Sequence, residues 1–501
     1  MASNYKVKVQ IEIIECPDAV TDTPHQEGEG VFASIISAEQ AQSIDVCEQI
    51  LLRTNYVALR DAFTAHLSAT SRRYALQAAG SLTECEVKPY RIDGEVGRIT
   101  FDTYWVPQTG AAADDPARSL FPTLHAQEWY RTTGFKELAL VHGTAEESFR
   151  KTRDWLNRVR HQKDATPSRT LRDNATAEGR QISAHLAQRA TAILHEHDFG
   201  TAGVPTAAAT DHSQRTLVTL PAAQVTQALQ ACAPEPEWVT EMATNPVPYE
   251  DPARSTNVSL DDVGVKRQKA TRQGVAEPAK KHKYVHNTIA HIAHAGASYI
   301  ISGQGVGPVL RLVLAFLLHN DLLQYNLIFF VDGQRTLYTA ILGAFTWFGP
   351  VQVIVDWYHL EKRCKQQLSS ALQGRIIRNT VLEQLRPCLW YGCVDQAIAV
   401  LQDLDATTIK DQKALDTLIG YLERNRPYIP CYAVRKHLGL RNSSNRGEKA
   451  NDLVVSNRQK HNGMSWSRSG STALAAVTTV VRNQEYQQWF QTRTLAFRLA
   501  A

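Results

Sequence analysis

No Cys-x-x-Cys pair occurs in the 501 residues. The eight cysteines (Cys16, Cys47, Cys85, Cys232, Cys364, Cys388, Cys393 and Cys431) are scattered, and the closest two, Cys388 and Cys393, have the wrong spacing for a zinc knuckle. No structural zinc is therefore expected. Long apolar runs are also missing. The longest, LVLAFLL at 312–318, falls far short of the roughly 20 residues that span a bilayer. The opening MASNYKVKVQ lacks the apolar core of a signal peptide. These absences predict a reduced, cytoplasmic chain with no membrane partner. A large excess of one charge sign is missing too: 54 Lys/Arg against 50 Asp/Glu leave +4, which does not by itself argue for nucleic acid. With 43% apolar and 21% charged residues the composition excludes disordered and fibrous classes, and the length allows two to four domains.

The distribution of charge says more than its sum. Residues 261–285 carry seven Lys/Arg against three acids, and residues 441–470 carry six against two, so each segment is +4 and the remainder is −4. Two basic patches on a slightly acidic body suit a polyanion, although two solvated loops would look the same.

Periodicity divides the chain into segments. Residues 1–120 read as an N-terminal α+β domain. It has an alternating strand at 5–14, a helical stretch at 38–72 capped at Ser37, and a short antiparallel sheet over 84–106 turning near Asp93-Gly94. Residues 121–235 hold two helical patterns, about 135–141 and 145–160, broken at His142-Gly143-Thr144, with Thr144 as candidate cap. That spacing fits a helix-turn-helix or a plain helical hairpin, with Arg150, Lys151 and Arg153 as candidate DNA contacts. Residues 161–177 read as loop and 178–197 as helix. A Pro-rich linker at 236–256 follows. Strands are expected at 257–267, twice within 284–303, at 326–333 (the central one) and at 351–359. Helices are expected at 306–321 and 336–349, and mostly helical sequence fills 360–440 before a final piece at 441–501.

Two apolar runs in this half end on aspartates: IFFVDGQRTLY at 328–338 and VQVIVDWYHLEKR at 351–363. Buried carboxylates are expensive unless paired or metal-bound. Asp332 ends one run and Asp261 and Asp262 sit on the first strand. Side chains at the carboxyl ends of neighbouring strands converge in one crevice, and Glu448 in NRGEKANDLVVSNRQK could complete a carboxylate set for two divalent ions. The plainer alternatives are a turn at Asp332-Gly333 and a capping box at Asn445/Glu448. Asp356 and His359, three residues apart, could bind a metal or pin the strand to the next helix; support is the favoured role.

Taken together, VSLDDV, IFFVDGQRTLY, VQVIVDWYHLEKR, NRGEKANDLVVSNRQK and NGMSWSRSGSTAL resemble bacterial insertion-sequence transposases of the DDE class, in the Mutator-like group, over residues 255–482. The resemblance implies an RNase-H-like mixed sheet with flanking helices and an all-helical insertion. It implies Asp261 (or Asp262), Asp332 and Glu448 as catalytic, metal-holding acids, with Asp356 and His359 as the supporting Asp-x-x-His element. Such proteins often carry paired N-terminal cysteines, which this chain lacks.

The implied activity is Mg²⁺-dependent hydrolysis at transposon ends, with Mn²⁺ as substitute and two ions per site, followed by strand transfer to target DNA. The implied partners are double-stranded DNA and a second copy or more of the chain. Lys266, Arg267, Lys269, Lys280, Lys281 and Lys283 would contact phosphates near the first strand. Arg446, Lys449, Arg458, Lys460 and Arg468 would do so near the last acid. Trp466 could stack on an unpaired base near the cleaved end, but a place in the core is the favoured reading. An RNase-H-like nuclease, or a non-catalytic DNA-binding protein descended from a transposase, are the alternatives.

Overall fold

A computed structural model describes residues 5–15, 25–37, 40, 43–106, 130–163, 166–206, 214–234, 238–268, 283–460 and 463–499. They form two compact units, one of residues 1–175 with 486–493, the other of residues 176–485 with 494–501. The described part of the Pro-rich segment, 238–256, lies inside the second unit. No helix among the described residues is long and apolar enough to cross a membrane.

In the first unit β1 (Tyr5–Glu15) pairs antiparallel with β2 (His25–Ile36), a strand the sequence did not announce, and both pack on α1 (Ile44–Ala79). Ser43 rather than Ser37 caps α1, accepting from the Val46 N–H. A hairpin of β3 (Glu86–Gly94) and β4 (Gly97–Trp105) turns through Glu95-Val96, and β5 (Tyr130–Arg131) joins β3 in parallel. Leu67 of α1, Tyr90, Ile92, Ile99 and Phe101 form the core of this layer.

The expected helix pair is present with different bounds. α2 (Thr133–Ala145) runs straight through His142-Gly143-Thr144, and Thr144 donates its hydroxyl to Val141 O instead of capping the next helix. α3 (Phe149–Val159) is capped by Ser148, which accepts from the Lys151 N–H. Phe135, Ala139, Leu156 and Leu171 pack the two helices and the start of α4 (Ser168–Glu196) together. The helix thus begins inside the 161–177 stretch expected to be loop, with Leu171, Asn174 and Ala175 turned inward and Arg172 and Asp173 outward. α17 (Tyr486–Thr492) returns to pack on α2.

The second unit opens with the rest of α4, then α5 (Ala222–Cys232) and α6 (Trp238–Ala243). Its sheet has five strands: β6 (Ser255–Lys266), β7 (Tyr284–His294), β8 (Ala297–Gly303), β9 (Asn326–Val331) and β10 (Val351–Val355), in the order β10-β9-β6-β7-β8. β6, not β9, is therefore central. β6, β7 and β8 are an antiparallel meander; β9 and β10 run parallel to β6 on its other side. Two parallel neighbours need crossovers, and α7 (Val306–His319) and α8 (Arg335–Ala344) supply them. β9 reads NLIFFV with every residue buried, as a strand covered on both faces must.

β10 ends at Val355, four residues earlier than its apolar pattern suggested, because Asp356 caps α9 (Trp357–Ala371). From there α10 (Gly374–Trp390), α11 (Val394–Gln402), α12 (Gln412–Asn425) and α13 (Tyr432–His437) form a helical insertion with its own core, including Leu360, Leu368, Leu385, Leu401, Leu418 and Leu422. The chain re-enters the sheet layer as α14 (Asn445–Asn451), a π-helical turn (Asp452–Ser456), α15 (Asn457–Gln459) and α16 (Arg468–Arg482).

α14 and α16 cover the sheet face that carries Ser259 and Asp261. Asn451 bonds Asp261, Ser471 bonds Asn287, and Thr479 bonds Ser302. The insertion is tied down by a fully buried ion pair, Arg435 to Glu250, both bonds 2.6 Å. A guanidinium buried this deeply would be destabilising without so complete a partner.

Candidate functional site

The site is set by strand register. β6 and β9 pair in parallel up to Ser259 opposite Phe330. Continuing two residues places Asp261 beside Asp332, and residues in parallel register share a face. Asp262 points the other way, toward Thr288 directly across β7, whose hydroxyl it accepts. Alternation therefore separates the doublet: Asp261 is on the face covered by α14, and Asp262 is hydrogen-bonded on the opposite one.

α14 delivers the third acid by close approach. A Cβ on Gly447 would lie 2.5 Å from Ser259 Cβ, so only glycine lets this helix sit on the strand at that height. Glu448 follows directly, and one turn later Asn451 donates to Asp261 Oδ2 at 2.6 Å. Asp261 Oδ1 accepts from the Asp262 N–H at 2.8 Å.

Asp332 accepts from the Gln334 N–H at 2.9 Å as the chain turns at Gly333. Gly333 has φ +79°, and a Cβ there would meet the Tyr421 hydroxyl of α12. Burial, then the negative charge of Asp332, raises the Asp261 carboxyl above the ordinary aspartate range, opposed by the Asp262 N–H and by His359. Burial raises Asp332 as well, against Gln334 and His359 and with Asp262 adding repulsion. Two such acids side by side carry more negative charge than their donors balance.

His359 Nε2 lies 2.8 Å from Glu448 Oε1. Among the described residues the group whose ligand atoms all fall within 4.8 Å of one another is Asp356, His359 and Glu448; Asp261, Asp332 and Glu448 are not that tight. Hydrogen bonding argues against Asp356 as a ligand. It is fully buried, Oδ1 caps α9 by accepting from the His359 N–H at 3.0 Å, and Oδ2 accepts from the Ser444 N–H. Its own N–H continues the sheet to Val331 O at 2.9 Å, and the Trp357 N–H reaches Asn442 O at 3.1 Å. Asp356 is a joint between β10, α9 and the approach to α14, and through that joint it sets the position of Glu448.

A hard divalent cation fits the donors found here. Asp261, Asp332 and Glu448 offer only oxygens. In addition, the buried Tyr421 hydroxyl and Asn451 Oδ1 have no hydrogen-bond partner among the described residues. Sequence reasoning missed Gly447, Asn451 and Tyr421. Asn451 carried a signal, being one helical turn after Glu448; Tyr421 carried none, since its place depends on how the insertion folds.

The candidate DNA contacts separate by exposure. Lys266, Arg267, Lys283, Arg446, Lys449, Lys460 and Arg468 are exposed in the second unit, and Arg150 and Lys151 in the first, where Arg153 is half-buried. Lys151 pairs with Glu147 at 2.6 Å. Lys269, Lys280 and Lys281 lie outside the described residues.

One assignment, Arg458 as a phosphate contact, needs correction. Arg458 is only 2% exposed and lies over the Trp466 ring, and Trp466 is itself buried, donating its indole N–H to Gln459 O at 3.0 Å. Both are core residues: the segment at Trp466 bridges to Arg267 beside the end of β6, which draws the indole inward.

No family model and no curated protein matches this chain. Among solved structures, the Drosophila P element transposase strand transfer complex is similar over 65% of this chain and 82% of that one, at 11% identity and a TM-score of 0.17, a likeness too loose to carry any argument about the fold.

Proposed function

We propose that the second unit is an RNase-H-like DDE transposase domain that cuts and rejoins DNA phosphodiesters with divalent cations. The observation that carries this reading is the register of Asp261 with Asp332 on the strand face that Gly447 opens to the helix bearing Glu448. A mixed five-stranded sheet, interrupted by a helical insertion just before the last acid, is the architecture that the sequence resemblance implies.

Asp261, Asp332 and Glu448 would hold Mg²⁺, or Mn²⁺ in its place. When bound, such ions stabilise the attacking and leaving oxygens of an in-line displacement. Asn451 orients Asp261, Gln334 orients Asp332, and His359 holds the Glu448 carboxylate by its Nε2. The exposed Lys266, Arg267, Lys283, Arg446, Lys449 and Arg468 would grip phosphates around the acids, and Arg150, Lys151 and Arg153 on α3 would serve the first unit's DNA contact. Pairing of two DNA ends would engage two or more copies of the chain.

The test is cleavage and joining of a labelled duplex carrying the ends of the DNA segment that encodes the chain, with Mg²⁺ or Mn²⁺. The expected result is metal-dependent strand transfer, lost in Asp332→Ala and Glu448→Ala with DNA binding retained. Cleavage without joining would point to a nuclease. Tight binding with no cleavage in the wild type would point to a binding protein, and activity surviving both substitutions would remove these acids from the site.

A further inference from the structure

A cavity of about 240 Å³ lies at the N-terminal end of β6, where the chain passes from α13 toward α14. Asn257 of β6 and Ala293 of β7 form part of its floor, and Arg441 part of its wall. It is smaller than the roughly 300–1,000 Å³ of pockets that enclose a drug-sized ligand, and so fits an ion or the end of a larger molecule. Its lining carboxylate, Glu250, is already used: Arg435 binds both oxygens at 2.6 Å. Arg441 is half-buried and Arg446 exposed, and among the described residues neither makes an ion pair. Burial, then the charge of Arg446, lowers the Arg441 pKa. His291 shares the floor's face, two residues before Ala293, and feels the charge of both arginines. Two guanidiniums and an imidazole thus crowd one place, and no carboxylate offsets either shift.

The backbone holds Arg441 in place. Its carbonyl accepts from Arg435 Nη2 at 2.9 Å and from Nε at 3.1 Å. Asn442 follows, donating its amide to Tyr432 O at 2.7 Å and accepting from the Trp357 N–H at 3.1 Å. The main chain is fixed here, yet among the described residues the Arg441 guanidinium has no hydrogen-bond partner. Cations gathered out of water are costly until a counter-charge arrives. A guanidinium fork with an amide beside it matches the oxygens of a phosphate, and two cations favour a dianion over a single carboxylate. The cavity is separate from the acids. Asn257 precedes Asp261 by four residues, roughly 13 Å along the strand, and Gly447 of α14 sits on Ser259 between them.

We infer that this cavity is an anion subsite, taking a phosphate group on Arg441 and Asn257 with Arg446 beside them. A phosphate there relieves the repulsion on the segment that leads into α14 and Glu448. The group is either free in solution or part of a DNA backbone. The second source alone rests on the proposed DNA-processing role.

Binding of inorganic phosphate is measured by calorimetry, without divalent metal, at an ionic strength held constant with sodium chloride. Wild type is expected to bind phosphate saturably. Arg441→Ala is expected to weaken that binding at least about tenfold, the loss of a charge-assisted hydrogen bond. Arg441→Gln, which keeps much of the length without the charge, should weaken it as much and guards against loss through misfolding. Lys436→Ala, which removes an exposed cation outside the lining, should change nothing. No saturable binding by wild type overturns the subsite. So does equal binding by wild type and both Arg441 variants, which would mark an adventitious ion only. A second arm follows a labelled paired duplex by anisotropy, with and without phosphate. Duplex binding that phosphate competes away and Arg441→Ala weakens assigns the group to DNA. Duplex binding indifferent to both assigns it to the free ion. Absence of any duplex binding removes the DNA-processing reading, while the calorimetry still decides the subsite.

Discussion

β9 and β10 lie side by side and each runs into an aspartate, Asp332 and Asp356, yet the two carboxylates have opposite surroundings. Asp356 is fully buried with both oxygens engaged by backbone N–H donors from two different segments. Asp332 has a backbone donor and a neighbouring carboxylate, and burial lifts its pKa. One carboxylate is satisfied by the fold; the other has a backbone donor and the negative charge of Asp261 beside it. The difference teaches that an acid at a strand end becomes a candidate for chemistry only when the backbone around it does not use it up.

The largest way to sharpen this contrast is to remove each acid in turn. Asp332→Ala or Asp261→Ala should lower metal-dependent cleavage by about a thousandfold, since several kcal/mol of charge stabilisation are lost. Asp332→Ala should not lower stability in metal-free buffer, because one of two mutually repelling charges is gone, whereas Asp261→Ala also removes the acceptor of the buried Asn451 amide. Cleavage assays beside urea melts check both halves.

Asp356→Ala should do the reverse to the fold. Two buried N–H groups lose their acceptor and α9 loses its cap, a destabilisation of about 2–4 kcal/mol readable in urea denaturation. A loss under about 0.5 kcal/mol would contradict the role as a joint.

Gly447→Ala sits between the two cases. Its Cβ would push α14 away from Ser259, lowering stability by about 1–3 kcal/mol. Cleavage should fall more than stability suggests, because Glu448 moves with the helix. Activity equal to wild type would mean the close approach is not needed.

His291, on the same sheet face and opposite Ser259, gives a pH dependence. Burial, then Arg441 and Arg446, holds its pKa down at about 4, below the usual 6.5. Below about pH 6.5 the unfolded chain takes a proton that the folded chain refuses, so stability should fall as pH drops from about 6.5 to 4, by at most roughly 1.4 kcal/mol per pH unit. His291→Leu should flatten that limb, and an unchanged limb would show that other groups carry it. The smallest effect is expected from Lys266→Ala: slightly weaker DNA binding and a salt slope lower by about one.

How much of this was legible in the sequence follows from what each residue depends on. β6 to β10 and α7 could be read because their apolar periods are set locally. The Asp-Gly at 332–333 signalled a turn where Gly333 indeed adopts positive φ. Helix starts at Ser43, Ser148 and Asp356 were misplaced by a few residues, since several polar residues near each start could cap and packing chooses among them. Choosing Asp261 over Asp262 needed the β6–β9 register, and Asn451 and Tyr421 needed the packing of α14 and α12 on the sheet layer. Arg458 looked like a DNA contact because charge in a basic segment says nothing of which way the chain turns.

Direct measurement of cation binding tests the central claim. Mn²⁺ titration followed by electron paramagnetic resonance would be run on wild type, Asp332→Asn, Asp261→Asn and His359→Gln. The account expects ions held by wild type, binding weakened at least tenfold in both aspartate variants, and much smaller loss in His359→Gln. Binding that persists in Asp332→Asn and Asp261→Asn but is lost in His359→Gln would place the ion at the Asp356–His359–Glu448 cluster and contradict it.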